Sequence, residues 1–206
     1  MTAQPLMISS TETHFSSDPQ VVADMRRTFS DTHAALLPNI FDTSFRQMLL
    51  TLCDKASFVS NTVPGLGERS IEAPPAIAGK ALRAALRRPD VLRFVESATG
   101  CGPLAAVEGD IAEFAPRPHE ELAWHDDRNG ASRRLAITVN LSDVPYSGGL
   151  FELREKRSRR MLIRHIHRDV GTALIFRVES ELEHRVQPVT AGGPRRVFAG
   201  WFLAPQ

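Results

Sequence analysis

The feature that most constrains this chain is a change of texture after Gly102 and Pro103. Before it, apolar residues recur at helical spacing; after it, short apolar runs are cut by turn residues every ten or so positions. In the first part Val21, Val22, Met25 and Phe29 form one stripe. Phe45, Met48, Leu49, Leu52 and Cys53 form another, preceded by Asp42, Thr43 and Ser44 as N-cap candidates. Residues 76–87 and 91–98 are two further helical stretches, the second stopped by Gly100. In the second part strands are predicted at about 104–108, 110–114, 122–127, 134–142, 149–153, 161–168, 172–177, 183–189 and 195–203. Helices followed by strands is the α+β order, and so many short strands must close or double up to hide their edges. The expected fold is a double-stranded β-helix, a jelly-roll or cupin-like barrel, buttressed by the N-terminal helices.

A chain of 206 residues buries a core without staples, and one domain is the simplest division. Within it, 1–19 reads as a mobile polar arm, 20–103 as a helical buttress with a long loop over 56–75, and 104–206 as the barrel. With 42% hydrophobic and 24% charged residues the chain is neither disordered nor fibrous. Its formal charge of +1 provides no global field to recruit nucleic acid or a membrane, so neither partner is expected. Cys53 and Cys101 are too far apart for a thiolate metal motif and too few for a disulfide framework. No basic segment followed by an apolar run opens the sequence, and no stretch has the length of a membrane span; a reducing cytoplasm is expected.

The chemistry starts at Trp124-His125-Asp126-Asp127. On a strand, His125 and Asp127 point the same way and Asp126 points away, which puts an imidazole beside a carboxylate. A site needs a third ligand. Of the seven histidines, His14 and His33 fall in the arm and between helices. His165 and His167 sit in a strand flanked by arginines, which reads as solvent-facing. His184 opens a strand that leads through a Gly-Gly-Pro turn into residues 195–203. There Arg195, Val197, Ala199 and Trp201 share one face, and Arg196, Phe198, Gly200 and Phe202 the other, so one arginine must face inward. The run from Arg134 to Leu141 likewise splits into a greasy face (Leu135, Ile137, Val139, Leu141) and a small polar one (Ala136, Thr138, Asn140). The polar face lines a wet pocket or meets solvent.

His125-x-Asp127, Gly148-Gly149-x-Phe151-x-Leu153, Gly171-x-Ala173-x-x-Phe176 and His184-x-Val186-x-Pro188-Val189, with Arg195 and Trp201 six apart, resemble the iron(II)- and 2-oxoglutarate-dependent dioxygenases. The closest branch is the prolyl 4-hydroxylase-like one. The likeness covers about residues 105 to 203, and the 57 residues between Asp127 and His184 are of the kind that family shows. The resemblance implies Fe(2+) on His125, Asp127 and His184, with 2-oxoglutarate as cosubstrate and O2 as oxidant. Two histidines and one carboxylate on one face of the ion leave positions open for these. It also implies Arg195 on the far carboxylate, with Thr138 and Asn140 as further cosubstrate contacts. The turn before the arginine is about a residue longer than the family's; the six-residue offset to Trp201 selects Arg195 over Arg196.

The implied activity is hydroxylation of a C–H bond in an amino acid, a peptide or a small metabolite, with release of succinate and CO2. Asp127 retains the ligand that halogenating relatives lose. A non-catalytic jelly-roll binding protein with a vestigial metal site is the alternative, and a cupin-type dioxygenase or isomerase is disfavoured by the inward arginine. Two features stay open: the basic stretch 154–168, a solvated hairpin or a docking surface, and the loop 61–72, a connection or a substrate cover with Arg69 as an anion anchor.

Overall fold

The protein is described from a computed structural model, which covers residues 4–117, 119–128 and 132–205. A hairpin of β1 (Leu6–Ile8) and β2 (Thr13–Phe15) precedes helix α1 (Pro19–Thr32), strand β3 (Ala34–Leu37) and helix α2 (Thr43–Lys55). A second hairpin, β4 (Phe58–Val63) and β5 (Gly67–Glu72), leads to α3 (Ile77–Leu86) and α4 (Pro89–Thr99). The barrel follows: β6 (Ala106–Phe114), β7 (Leu122–His125), β8 (Arg133–Asn140), β9 (Tyr146–Gly148), β10 (Phe151–Glu155), β11 (Met161–His165), β12 (Ala173–Arg177), β13 (Leu182–Val186), β14 (Val189–Gly192) and β15 (Arg195–Leu203).

The strands form two main sheets, a large one in the order β3-β12-β8-β15-β6-β5-β4 and a small one in the order β11-β10-β13-β7. Every ladder between these named strands is antiparallel. This is the expected α+β double-sheet barrel. The alternation in β8 and β15 decides what each face meets. Leu135, Ile137, Val139, Phe198 and Phe202 join one core with Leu49, Leu82, Val91 and Val95 of the helices. Ala136, Val197 and Phe114 join a second core with Phe151, Leu153 and Val186 of the small sheet. Two helix ends follow capping chemistry legible in the residues: the Asp42 carboxylate accepts from the Phe45 N–H at 2.6 Å at the start of α2, and Gly100 closes α4 in the left-handed region at φ 66°.

Three segments differ from the sequence expectation. The arm is ordered over β1 and β2, because Leu6 and Ile8 bury themselves in the helix-side core while Ser and Thr occupy the turn. The 56–75 segment is a hairpin extending the large sheet, its polar residues suiting an edge position. The two strands expected at 104–108 and 110–114 are one. Gly109, which reads as a break, sits at φ 141° opposite Gly200, and a Cβ there would lie 2.5 Å from the Gly200 Cα.

Candidate active site

His125 is the last residue of β7, and β13 is paired to β7 with His184 directly opposite it. The two imidazoles therefore meet, with ring centroids 4.1 Å apart. Asp127 joins them by a different route from the one the strand pattern implies. The strand ends at His125, and Asp127 takes a left-handed conformation at φ 57° in the turn beyond, which swings its carboxylate back. Asp127 Oδ1 lies 3.4 Å from His125 Nε2 and Oδ2 lies 3.5 Å from His184 Nε2. One ligand atom from each of the three residues falls within 4.8 Å of the others. Asp126 points away, to Lys156 at 2.9 Å.

The surroundings fix these groups in the form a metal needs. His125 Nδ1–H donates to the Ala123 carbonyl at 2.7 Å, which orients the ring so that Nε2 faces Asp127 and is the nitrogen available to a metal. The Trp201 indole N–H donates to Asp127 Oδ2 at 2.9 Å. His184 packs against Phe176 and Phe151, with ring centroids at 4.6 and 5.6 Å. Its burial pushes the imidazole pKa down to about 3, with the Asp127 charge opposing, so it is neutral and ready to ligate. Burial raises Asp127, but the His125 hydrogen bond, the two imidazoles and the Trp201 N–H together hold it well below the usual carboxylate range. Burial lowers His125, and its hydrogen bond and attraction to Asp127 outweigh this, leaving its pKa raised.

Behind the triad a small cavity runs between the sheets, lined by His125, Asp127, His184, Thr138, Arg195 and Arg69 among others. Arg195 is 1% exposed, and its Nε and Nη2 are buried with no hydrogen-bond partner. A guanidinium left in this state awaits an anion, since a buried charge without a partner costs several kcal/mol or more. Burial lowers its pKa and the adjacent Tyr146 phenol opposes that; an arginine remains protonated regardless. Gly149 makes the space: at φ 64°, a Cβ there would lie 2.9 Å from Arg195 Cδ and 3.0 Å from the Tyr146 ring. The donor set and the orphaned guanidinium fit a divalent iron-type ion together with a chelating dicarboxylate.

The structure thus gathers His125, Asp127, His184, Thr138 and Arg195 around one cavity. Asn140 does not join them. It is fully buried at the end of β8, where its side-chain oxygen accepts from the Ser142 N–H at 3.1 Å and stabilises the turn. Arg196 faces the helices, held by Glu113 at 3.0 Å and Asp54 at 3.3 Å, as the alternation of β15 requires.

His167 is not solvent-facing. It is 1% exposed, with Nε2 at 2.9 Å from the Thr138 hydroxyl and Nδ1 at 3.3 Å from His165 Nε2. Burial, Arg195 and His165 push its pKa well below the ordinary value, so it is neutral. The Tyr146 hydroxyl donates to the His167 carbonyl at 2.8 Å. Tyr146 was missed because β9 is only three residues long, and His167 was misread as solvent-facing because the strand expected to run to residue 168 ends at His165.

Comparison with known proteins agrees with this geometry. The profile of the 2OG-Fe(II) oxygenase superfamily matches residues 111–203. No curated protein sequence matches the chain. Among solved structures, a Pseudomonas putida prolyl-4-hydroxylase superposes with a TM-score of 0.64 at 16% identity, covering 90% of this chain and 100% of that one. A prolyl hydroxylase from Trichoplax adhaerens, in complex with a hypoxia inducible factor peptide fragment, gives 0.67 at 15%, covering 89% of each. The epimerase SnoN from nogalamycin biosynthesis, in complex with Fe3+, alpha ketoglutarate and a nogalamycin, gives 0.64 at 13%, covering 91% of this chain and 85% of that one.

Proposed function

Through residues 111–203 the chain belongs to the 2OG-Fe(II) oxygenase superfamily, and from that premise we propose that it hydroxylates a C–H bond of a small molecule, an amino acid or a peptide. Iron(II) supplies the activation of O2 that couples oxidation of the substrate to oxidative decarboxylation of 2-oxoglutarate. The sum is balanced: R–H, 2-oxoglutarate and O2 give R–OH, succinate and CO2. In this reading His125 Nε2, a carboxylate oxygen of Asp127 and a ring nitrogen of His184 hold the metal, leaving one face open. Ala123 and Trp201 fix the first two in orientation and protonation.

Arg195 takes the far carboxylate of the cosubstrate bidentately, and Thr138, whose hydroxyl is held by His167, is its neighbour on β8. Asn140 is left out of the assignment, since it serves the turn. Phe151, Phe176 and Val197 and Ala199 of β15 give the cavity an apolar wall.

The observation that carries the reading is a preformed His-Asp-His triad sharing one cavity with a buried guanidinium that has two nitrogens without a hydrogen-bond partner. That pairing also counts against a vestigial metal site, where neither group would need to persist. Peptide and antibiotic ligands in the Trichoplax and SnoN structures keep both substrate sizes in play. No helix among the described residues is long and apolar enough to cross a membrane, and the free thiols of Cys53 and Cys101 suit a reducing cytoplasm. The test is succinate formation from 2-oxoglutarate. It should require iron(II) and fall at least about a hundredfold in Asp127→Ala; activity that persists in that variant contradicts the assignment.

A further inference from the structure

A second cationic side chain in the cavity is left unused by the reaction. Arg69 lies on β5 and lines the same cavity as His125, Asp127 and Trp201. Its Nε is buried with no hydrogen-bond partner. It is near enough to Asp127 to feel that charge, yet it forms no ion pair within 4.0 Å among the described residues. The backbone beneath it is rigid. Ala123 N–H donates to the Leu66 carbonyl at 2.7 Å and Glu68 N–H to the His119 carbonyl at 3.2 Å, while Ser70 and Ile71 pair with Glu113 and Ala112 of β6. Arg69 therefore projects from a paired strand with its Nε already buried, which lowers the ordering cost of using it for binding.

Charge balance indicates what it binds. The charged side chains lining the cavity are Arg69, Arg195 and Asp127, and the two imidazoles are neutral once they ligate the metal. Adding iron(II) and doubly charged 2-oxoglutarate leaves one uncompensated positive charge. The far carboxylate of the cosubstrate goes to Arg195 and its other end to the metal, so Arg69 has no anion from the cosubstrate. We propose that Arg69 is a specificity-determining residue that pairs with a free carboxylate on the substrate. The substrate is then a small carboxylic acid, such as a free amino acid, with its carboxylate close to the carbon oxidised. An internal peptide residue or a carrier-bound thioester without an acidic side chain lacks that group.

The inference rests on the dioxygenase reading for its charge count, and the experiment separates the two. Free L-amino acids and short aliphatic and aromatic acids, each paired with its carboxamide, are titrated calorimetrically into anaerobic protein loaded with iron(II) and 2-oxoglutarate. At least one acid should bind about tenfold or more tightly than its amide, the ordinary scale for one charge-assisted pair. Arg69→Gln should erase that preference and Arg69→Lys keep part of it, with 2-oxoglutarate affinity changed less than about threefold in both. Thermal unfolding of each variant checks its fold. The proposal is overturned if no acid is preferred to its amide, if Arg69→Gln keeps the preference, or if that variant weakens 2-oxoglutarate instead. Should the protein bind no iron or cosubstrate, the dioxygenase reading fails, and the same acid and amide titrations on the metal-free protein decide Arg69.

Discussion

The basic stretch on the outside of the small sheet and the arginines of the cavity carry the same side chain in opposite states. Outside, Arg154 and Arg159 share Glu183 at 2.7 and 2.8 Å, Arg164 and Arg185 share Glu152 at 2.9 and 2.6 Å, and Arg160 pairs with Glu155. Trp124 lies beneath two of these guanidiniums, with Arg154 at 3.5 Å and Arg185 at 4.8 Å from its ring centroid. On this surface each of these five guanidiniums has a carboxylate partner within the protein, three glutamates serving them all. Inside, Arg195 and Arg69 have buried nitrogens with no partner at all. The number of charges in a segment therefore says little about function; a missing partner says more. Arg195 and Arg196 make the same point at adjacent positions, one with no carboxylate beside it and one held by two.

That contrast can be broken by mutation. The largest effect should come from Arg195→Met, which removes a bidentate, desolvated anchor and should weaken 2-oxoglutarate about 10- to 100-fold in KM. Arg196→Met should leave that KM within about twofold and act only on stability, since Arg196 serves Glu113 and Asp54. Next is Trp201→Phe, which deletes the N–H held by Asp127 and should lower iron affinity about tenfold with little change in fold, measured by metal competition.

Acid should act on the metal-free protein through His184. Its folded pKa of about 3 lies below the ordinary value of 6.5, so between those values the unfolded chain takes up a proton that the folded chain refuses. Its contribution is complete above about pH 6.5 and is lost as pH falls towards 3. His184→Gln should flatten the fall in unfolding temperature across that window.

On the outer surface, Glu152→Ala should cost about 1–2 kcal/mol in denaturant unfolding, less than a fully buried pair because Arg164 and Arg185 reach solvent. The smallest effect belongs to exposed Arg157, where Ala should change stability by less than about 0.5 kcal/mol and leave activity intact.

Much of this was legible in the sequence because alternation is a strong signal in long, two-sided strands. The faces of β8 and β15 could be assigned residue by residue, which put one of Arg195 and Arg196 inside, and the six-residue offset to Trp201 that the family shows chose Arg195. The helices were equally readable, from stripes and caps. Elements of three or four residues, such as β1, β9 and β14, are too short to establish a period, and their burial is decided by distant partners. Asp127 converges on the histidines through a left-handed turn that no period encodes. Asn140 sits on the inward-facing pattern of β8, yet at the strand's last position a turn N–H claims its side chain. His167 looks exposed among arginines because the residue that buries it, Thr138, lies 29 positions away.

The account depends on one coupling: the triad and Arg195 hold opposite ends of the same dicarboxylate. Anaerobic titration calorimetry of 2-oxoglutarate, with and without iron(II), measures it directly in wild type and in Arg195→Met. Tight binding should need both the metal and the arginine, and removal of either should cost at least about tenfold. Equal affinity with and without iron(II), or binding unaffected by the loss of Arg195, would contradict it.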